Sequence, residues 1–216
     1  MKFKTFWNFS LTDETDREYL KTSGAFEYAG RPKNKKDSEL VRLVLNRAAM
    51  IGDTGTVLYL IENGAAVRGK QVEALPLAID AGHQDIAVAL IQAGADVSLV
   101  DKDTKQTLLH RAALKGQSRT CQALIATKNI KLDARNAQGS TPLHCAAAVG
   151  DERTIQLLVA AGACRKKKNS HANTPAHLAK LNGHLNVLKY LEKGAITATD
   201  ALPPTDPLAA RITRIE

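Results

Sequence analysis

The sequence predicts an all-α repeat protein built from two-helix layers, and three observations predict it. First, one phrase recurs: Thr107-Leu108-Leu109-His110-Arg111-Ala112, then Thr141-Pro142-Leu143-His144-Cys145-Ala146, then Thr174-Pro175-Ala176-His177-Leu178-Ala179, with weaker copies over 45–52 and 75–82. Second, each copy closes on a glycine, at Gly52, Gly82, Gly116, Gly150 and Gly183, so the steps are 30, 34, 34 and 33 residues. Third, a second apolar stretch follows each copy and stops at Gly64, Gly94, Gly162 or Gly194, with Asn129 in that place in the third. A unit of this length cannot bury its apolar face alone, so neighbouring units must stack.

Residues 1–37 stand apart. They hold Phe3, Phe6, Trp7, Phe9, Tyr19, Phe26 and Tyr28, whereas the rest of the chain adds only Tyr59 and Tyr190. Ser10 is a candidate N-cap for a helix to about Lys21. A loop is expected at Gly30-Arg31-Pro32-Lys33-Asn34-Lys35-Lys36. This segment either caps the first repeat's flank, serves as a partner-binding arm or is a piece of another domain. The repeats are placed at about 38–68, 69–101, 102–135, 136–168 and 169–196, and a degenerate capping half-repeat at 197–216.

The fourth repeat shows why each unit reads as two helices. Thr141 caps the first, and Pro142 sits in its first turn, where a missing N–H costs nothing. Leu143, Ala146 and Ala147 share one face, and Gly150 supplies a left-handed stop. The second helix should bury Ile155, Leu157, Leu158 and Val159 before Gly162. By the same spacing the third repeat's second helix should be one residue longer and the fifth's one shorter. The connection from Gly64 to Glu73 is clipped, and the one before Thr107 carries an extra residue with Asp101 and Asp103 at its turn. Pro76 stands where the other strong copies have histidine.

The T-P-L-H-x-A phrase at a spacing of about 33 residues resembles the ankyrin-repeat family over about three quarters of the chain. The likeness is strongest in repeats three to five. It implies an α-solenoid of stacked antiparallel helix pairs with protruding β-hairpin-like fingers. In that family partners commonly bind the concave side, formed by fingers and inner helices. The resemblance then points to residues just before the closing glycines: Met50 and Ile51, Asp80, Leu114 and Lys115, Val149, and Lys180 with Leu181. Finger positions add Arg135, Gln138 and Ser140, then Arg165, Lys166, Lys167, Lys168, His171 and Asn173. Met50, Ile51, Leu114, Val149 and Leu181 are expected to form a discontinuous apolar track with cations beside it, the alternative being ordinary solvated surface.

Net charge is +8, and between Ala161 and Lys193 seven cations face a single Glu192. That balance favours an acidic partner. The run Arg165-Lys166-Lys167-Lys168 reads as a solvated finger, an acidic or phosphate contact, or a nuclear-import-like address. Nucleic-acid binding has charge alone in its favour, because no aromatics interleave with the basic residues.

Nothing points to catalysis. His110, His144 and His177 are signature positions expected to brace fingers, and His144 beside Cys145 points about 100° away from it. Cys121, Cys145 and Cys164 form no disulfide framework and suggest a reducing compartment. Cys164 beside Arg165 has a basic setting that favours a thiolate. No metal-ligand spacing, phosphate loop or nucleophile elbow appears, so neither cofactor nor metal is expected. No signal peptide, membrane span or lipidation box is read. The expectation is a monomeric, non-enzymatic cytoplasmic adaptor or scaffold that binds a protein, with no small-molecule substrate. The alternative is the targeting portion of a larger enzyme or of a secreted bacterial effector.

Overall fold

A computed structural model describes residues 35–69, 72–127 and 130–193. The expected N-terminal cap with its Ser10 helix, the Asn129 and Gly194 stops, and the capping half-repeat at 197–216 lie outside the described residues. Among the described residues ten helices form five pairs. The pairs are α1 (Lys35–Ile51) with α2 (Thr54–Glu62), α3 (Ala74–Ala81) with α4 (Gln84–Gln92), α5 (Leu108–Leu114) with α6 (Ser118–Ala126), α7 (Pro142–Val149) with α8 (Glu152–Ala160), and α9 (Pro175–Leu181) with α10 (Leu185–Lys193). The odd-numbered helices stack into an inner row and the even-numbered ones into an outer row.

One register explains the stack. Seven residues before each closing glycine stand Leu45, Leu75, Leu109 and Leu143, all at most 2% exposed, and Ala176 packs against the same core. Four residues before it stand Ala48, Ala78, Ala112, Ala146 and Ala179, again no more than 2% exposed. The leucines carry the burial, at about 1.5–3 kcal/mol each. The alanines let neighbouring inner helices approach. In the outer row Leu60, Leu90, Leu124 and Leu158 are fully buried, so the core runs through every layer without a break.

The helix ends follow the sequence. Thr107, Thr141 and Thr174 occupy N-caps with extended backbone, and each pairs with the histidine three residues on in a reciprocal box. Asp53 caps α2 by accepting from the Thr56 N–H at 3.1 Å, and Asp151 caps α8 by accepting from the Thr154 N–H at 3.3 Å. Gly150 lies at φ +81°, with the His184 ring seated where a Cβ would project, 2.5 Å away. Any side chain at that position meets both the left-handed backbone and the ring.

Several expectations need correction. Helix α1 takes in Lys35 and Lys36, which were assigned to a loop. No glycine or proline interrupts 35–51, so the helix runs unbroken to Ile51. Helix α6 is nine residues long, like its four outer-row neighbours, and not longer. Thr127 leaves the helix in extended conformation while its hydroxyl donates to the Leu124 carbonyl at 2.6 Å, so the extra residue falls in the loop. Helix α10 is not shortened either. Val159 is only half-buried, because it faces the edge of the core.

The fingers meet side by side. Asn136 and Asn169 each close a five-residue turn, donating to the Ser140 and Asn173 carbonyls at 3.0 and 2.9 Å. Asp101 takes the same place before α5, but its N–H reaches Gln106, one residue further, and Lys105, two residues before Thr107, takes the left-handed conformation at φ +55°. Extended pairing is limited among the described residues to the antiparallel Val100–Thr107 bridge and to finger-to-finger bonds. In those bonds Ala137 donates to the Thr104 carbonyl at 2.8 Å and Ser170 to the Gln138 carbonyl at 3.0 Å.

The last two fingers give a paired test. Gly139 and Ala172 both lie in the left-handed region, at φ +68° and +59°. A Cβ on Gly139 would meet Ser170 Oγ at 2.7 Å and the Ser170 nitrogen at 3.0 Å. We expect Ala172→Gly to stabilise the protein by about 0.5–1 kcal/mol and Gly139→Ala to destabilise it by roughly 2 kcal/mol. Urea midpoints of the two variants check both signs.

Candidate functional site

The surface in question is a strip along the ends of the inner helices and the adjoining fingers. Its frame depends on histidine chemistry. The Thr107 N–H donates to His110 Nδ1 at 3.3 Å, and His110 Nε2 lies 2.9 Å from the Ser140 carbonyl. The Thr141 N–H donates to His144 Nδ1 at 3.1 Å, and His144 Nε2 lies 3.0 Å from the Asn173 carbonyl. A ring that accepts at Nδ1 and donates at Nε2 is neutral. Burial pushes both imidazoles below their ordinary value, against a smaller opposite pull from the Ser140 and Asn173 carbonyls. Each ring thus ties its own helix cap to the next finger. His177 pairs with Thr174 in the same way and is exposed.

The strip residues divide into two groups. Met50 and Ile51 (37% exposed each), Leu114 (46%), Val149 (42%) and Leu181 (71%) all reach solvent. Lys115, Lys166, Lys168, Lys180, Gln138 and His171 are exposed as well. The remaining candidates are engaged within the molecule. Asp80 takes a two-pronged ion pair from Arg111, with Arg111 Nε 2.8 Å from Oδ1 and Nη2 against Oδ2. Arg135 is exposed, yet donates through Nη2 to the Lys168 carbonyl at 2.8 Å. Ser140 and Asn173 are half-buried and give their carbonyls to the histidines. Arg165 is half-buried, and Lys167 pairs with Asp133 at 3.3 Å. Asp133 also accepts from the Cys164 N–H at 3.0 Å, so one carboxylate from the preceding finger offsets part of the basic run.

Lys180 belongs to a different register from the others. The two residues before Gly183 are Leu181 and Asn182, and Lys180 aligns with Ala49, Ile79, Ala113 and Ala147, which are all fully buried. Sequence reasoning also missed four exposed apolar side chains: Leu43, Tyr59, Val100 and Leu185. Two of them carried a signal. Leu185 opens α10 at a position held by Thr54, Gln84, Ser118 and Glu152 in the other outer helices. Val100 precedes its turn where the later fingers carry Arg135 and Lys168.

The remaining reactive groups are structural. Burial pushes the Cys121 thiol up to about 12 and the Cys145 thiol up to about 11. Both stay protonated, which suits them to packing and not to attack. Cys164 is free and exposed. Among the described residues no three His, Cys, Asp or Glu side chains converge as metal ligands, and no helix is long and apolar enough to cross a membrane.

The profile of the family described as ankyrin repeats (3 copies) matches residues 85–169 and 109–200. This chain belongs to the ankyrin-repeat family. Relatives include inversin of Gallus gallus, 34% identical over 103 residues, which is 46% of this chain and 9% of that protein. The B-cell lymphoma 3 protein homolog of Mus musculus is 28% identical over 137 residues, covering 63% of this chain and 30% of its own length. The Caenorhabditis elegans homolog of transient receptor potential cation channel subfamily A member 1 is 32% identical over 106 residues, 48% of this chain and 8% of that one. The chain therefore spans less than a third of each. Ankyrin repeats are protein-interaction modules, and the family is typically non-enzymatic.

The neutral buried histidines set a pH dependence. Their folded values lie below the unfolded one, so the unfolded chain binds more protons as pH falls and stability rises with pH. Full stability is expected above the unfolded value of about 6.5, with a loss of up to about 1.4 kcal/mol per pH unit for each ring below it. The loss continues down to the folded values. Urea midpoints measured from pH about 7.5 to about 5 should fall for the wild type and fall less steeply for His144→Asn.

Proposed function

We propose that the chain is a non-enzymatic adaptor or scaffold that holds a protein partner along this strip. The partner lies over Met50, Ile51, Leu114, Val149 and Leu181. Lys115, Lys166 and Lys168 meet acidic side chains at its edge. One observation carries the reading: exposed large apolar residues recur within two positions of the closing glycine in layers one, three, four and five. Folding does not require them there, and apolar groups held at repeated exposed positions suit a docking surface. The rigid stack presents the strip in advance, so binding need not order the backbone. Charges at the rim act mainly on association rate and partner choice. The free thiols suit a reducing, cytoplasmic setting. The array works as a monomer, with the strip left open for another protein.

A second reading is favoured by coverage. The matched regions fill 9%, 30% and 8% of the relatives' lengths, so the same strip would serve a longer protein as its docking segment. The surface chemistry is the same in both readings.

Affinity capture from cell extract, quantified by mass spectrometry, tests the strip. A partner held by the wild type and by the outer-row control Gln92→Lys should be lost with Leu114→Asp. The expected loss is about 2 kcal/mol, roughly thirtyfold in affinity. Lys166→Glu with Lys168→Glu should weaken capture and flatten its dependence on salt. Equal retention by all four proteins would sink the proposal.

A further inference from the structure

At the signature position a neutral side chain links neighbouring layers in three of the four junctions. Between layers one and two, Asn46 stands in the signature position and its Oδ1 accepts from the Glu73 N–H at 3.0 Å. His110 links layers three and four, and His144 links four and five. Between layers two and three the signature position holds Pro76, whose ring carries no polar group. The two finger-to-finger backbone bonds, at Ala137 and Ser170, lie beyond that junction.

Packing there is uneven. Helices α3 and α5 pack less extensively than any other neighbouring pair of the inner row, whereas α4 and α6 pack at least as closely as any pair of the outer row. Polar groups hold the junction instead. Asp80 of α3 grips Arg111 of α5 on the inner side, where their side chains are 43% and 22% exposed. Arg119 of α6 pairs with Asp85 of α4 on the outer side, where both are more exposed. Gln117 Nε2 reaches the Ile79 carbonyl at 2.6 Å. That last link has a cost. Gln117 sits where Asp53 and Asp151 cap their helices but where His83 and His184 reach back to the Met50 and Ala148 carbonyls, and its link leaves Oε1 and the Thr120 hydroxyl buried without hydrogen-bond partners.

We propose that the chain contains one built-in hinge. The tightly packed α4–α6 contact is its axis, the loosely packed α3–α5 contact is the side that opens, and the Asp80–Arg111 pair is the latch. Opening moves layers one and two as a block relative to layers three to five. It thereby changes the spacing between Met50 and Ile51 on one side and Leu114 and Val149 on the other. A two-pronged carboxylate–guanidinium pair with a mostly buried guanidinium is the kind of ion pair that contributes measurably, unlike the exposed Arg119–Asp85 pair. This inference does not depend on what the strip binds.

Distances between paired spin labels test the hinge on the full chain, in a Cys164→Ser background that leaves only the buried native thiols. Between labels at Met50→Cys and Val149→Cys, Asp80→Asn should broaden the distance distribution and add a longer component. Asp80→Arg combined with Arg111→Asp should restore the single narrow distribution. A control pair on one side of the junction, Leu114→Cys with Leu181→Cys, should stay narrow throughout. The hinge is overturned if Asp80→Asn leaves the first distribution as in the wild type, or if the control pair broadens equally.

Discussion

Each layer of two short helices has apolar side chains on both flanks, and no layer can cover both by itself. Everything else in the molecule follows from that constraint. It sets a leucine in four layers, and Ala176 in the fifth, seven residues before the closing glycine to carry the burial, and an alanine four residues before every one to let the next helix come near. It also explains why residue type and exposure change together at one aligned position. Positions aligned with Lys180 are buried in four layers because a following layer covers them. In the fifth, a lysine occupies the place and reaches solvent.

Stacking alone would leave the fingers loosely attached, and the signature histidine addresses that. It accepts from its own helix cap through Nδ1 and donates to the next finger through Nε2, so one neutral ring satisfies a local and a distant backbone group together. Asn46 does part of this with an amide, and Pro76 does none of it. Where the signature link is missing, the charged Asp80–Arg111 pair crosses the junction, while the Gln117 amide reaches back as His83 and His184 do in two other junctions.

The fold was legible because it is set by a period that single residues reveal. Thr107, Thr141 and Thr174 mark helix starts, the closing glycines mark stops, and five copies reinforce one another. Helix lengths were less legible. The spacing from Gly116 to Asn129 implies a longer helix, but a threonine hydroxyl can end a helix one residue early by donating to a carbonyl, and spacing does not record where the surplus goes. The strip was readable as positions and not as contacts. Leu114 and Val149 stand at predictable exposed sites, whereas the pairing of Asp80 with Arg111 joins residues 31 apart on different helices and depends on how closely the two layers approach. Leu185 is a leucine among leucines in its own helix, and only its contrast with the polar Thr54, Gln84, Ser118 and Glu152 that open the other outer helices marks it as exposed.

The same register also separates what the chain needs for folding from what it is free to vary. The alanine four residues before each glycine is enclosed, and the residues one or two before the glycine point beyond the neighbouring helix. In layer four Ala146 is fully buried and Val149 is 42% exposed, three residues later on the same helix. A substitution at the first position opens a void in a continuous core, at a cost shared by two layers. A substitution at the second leaves the stack intact and changes only the face that the array presents. Layer two shows the one case where the separation fails. There Asp80 occupies a presenting position but is committed to holding the next layer, so the residue that interrupts the apolar strip is also the residue that closes the junction beneath it.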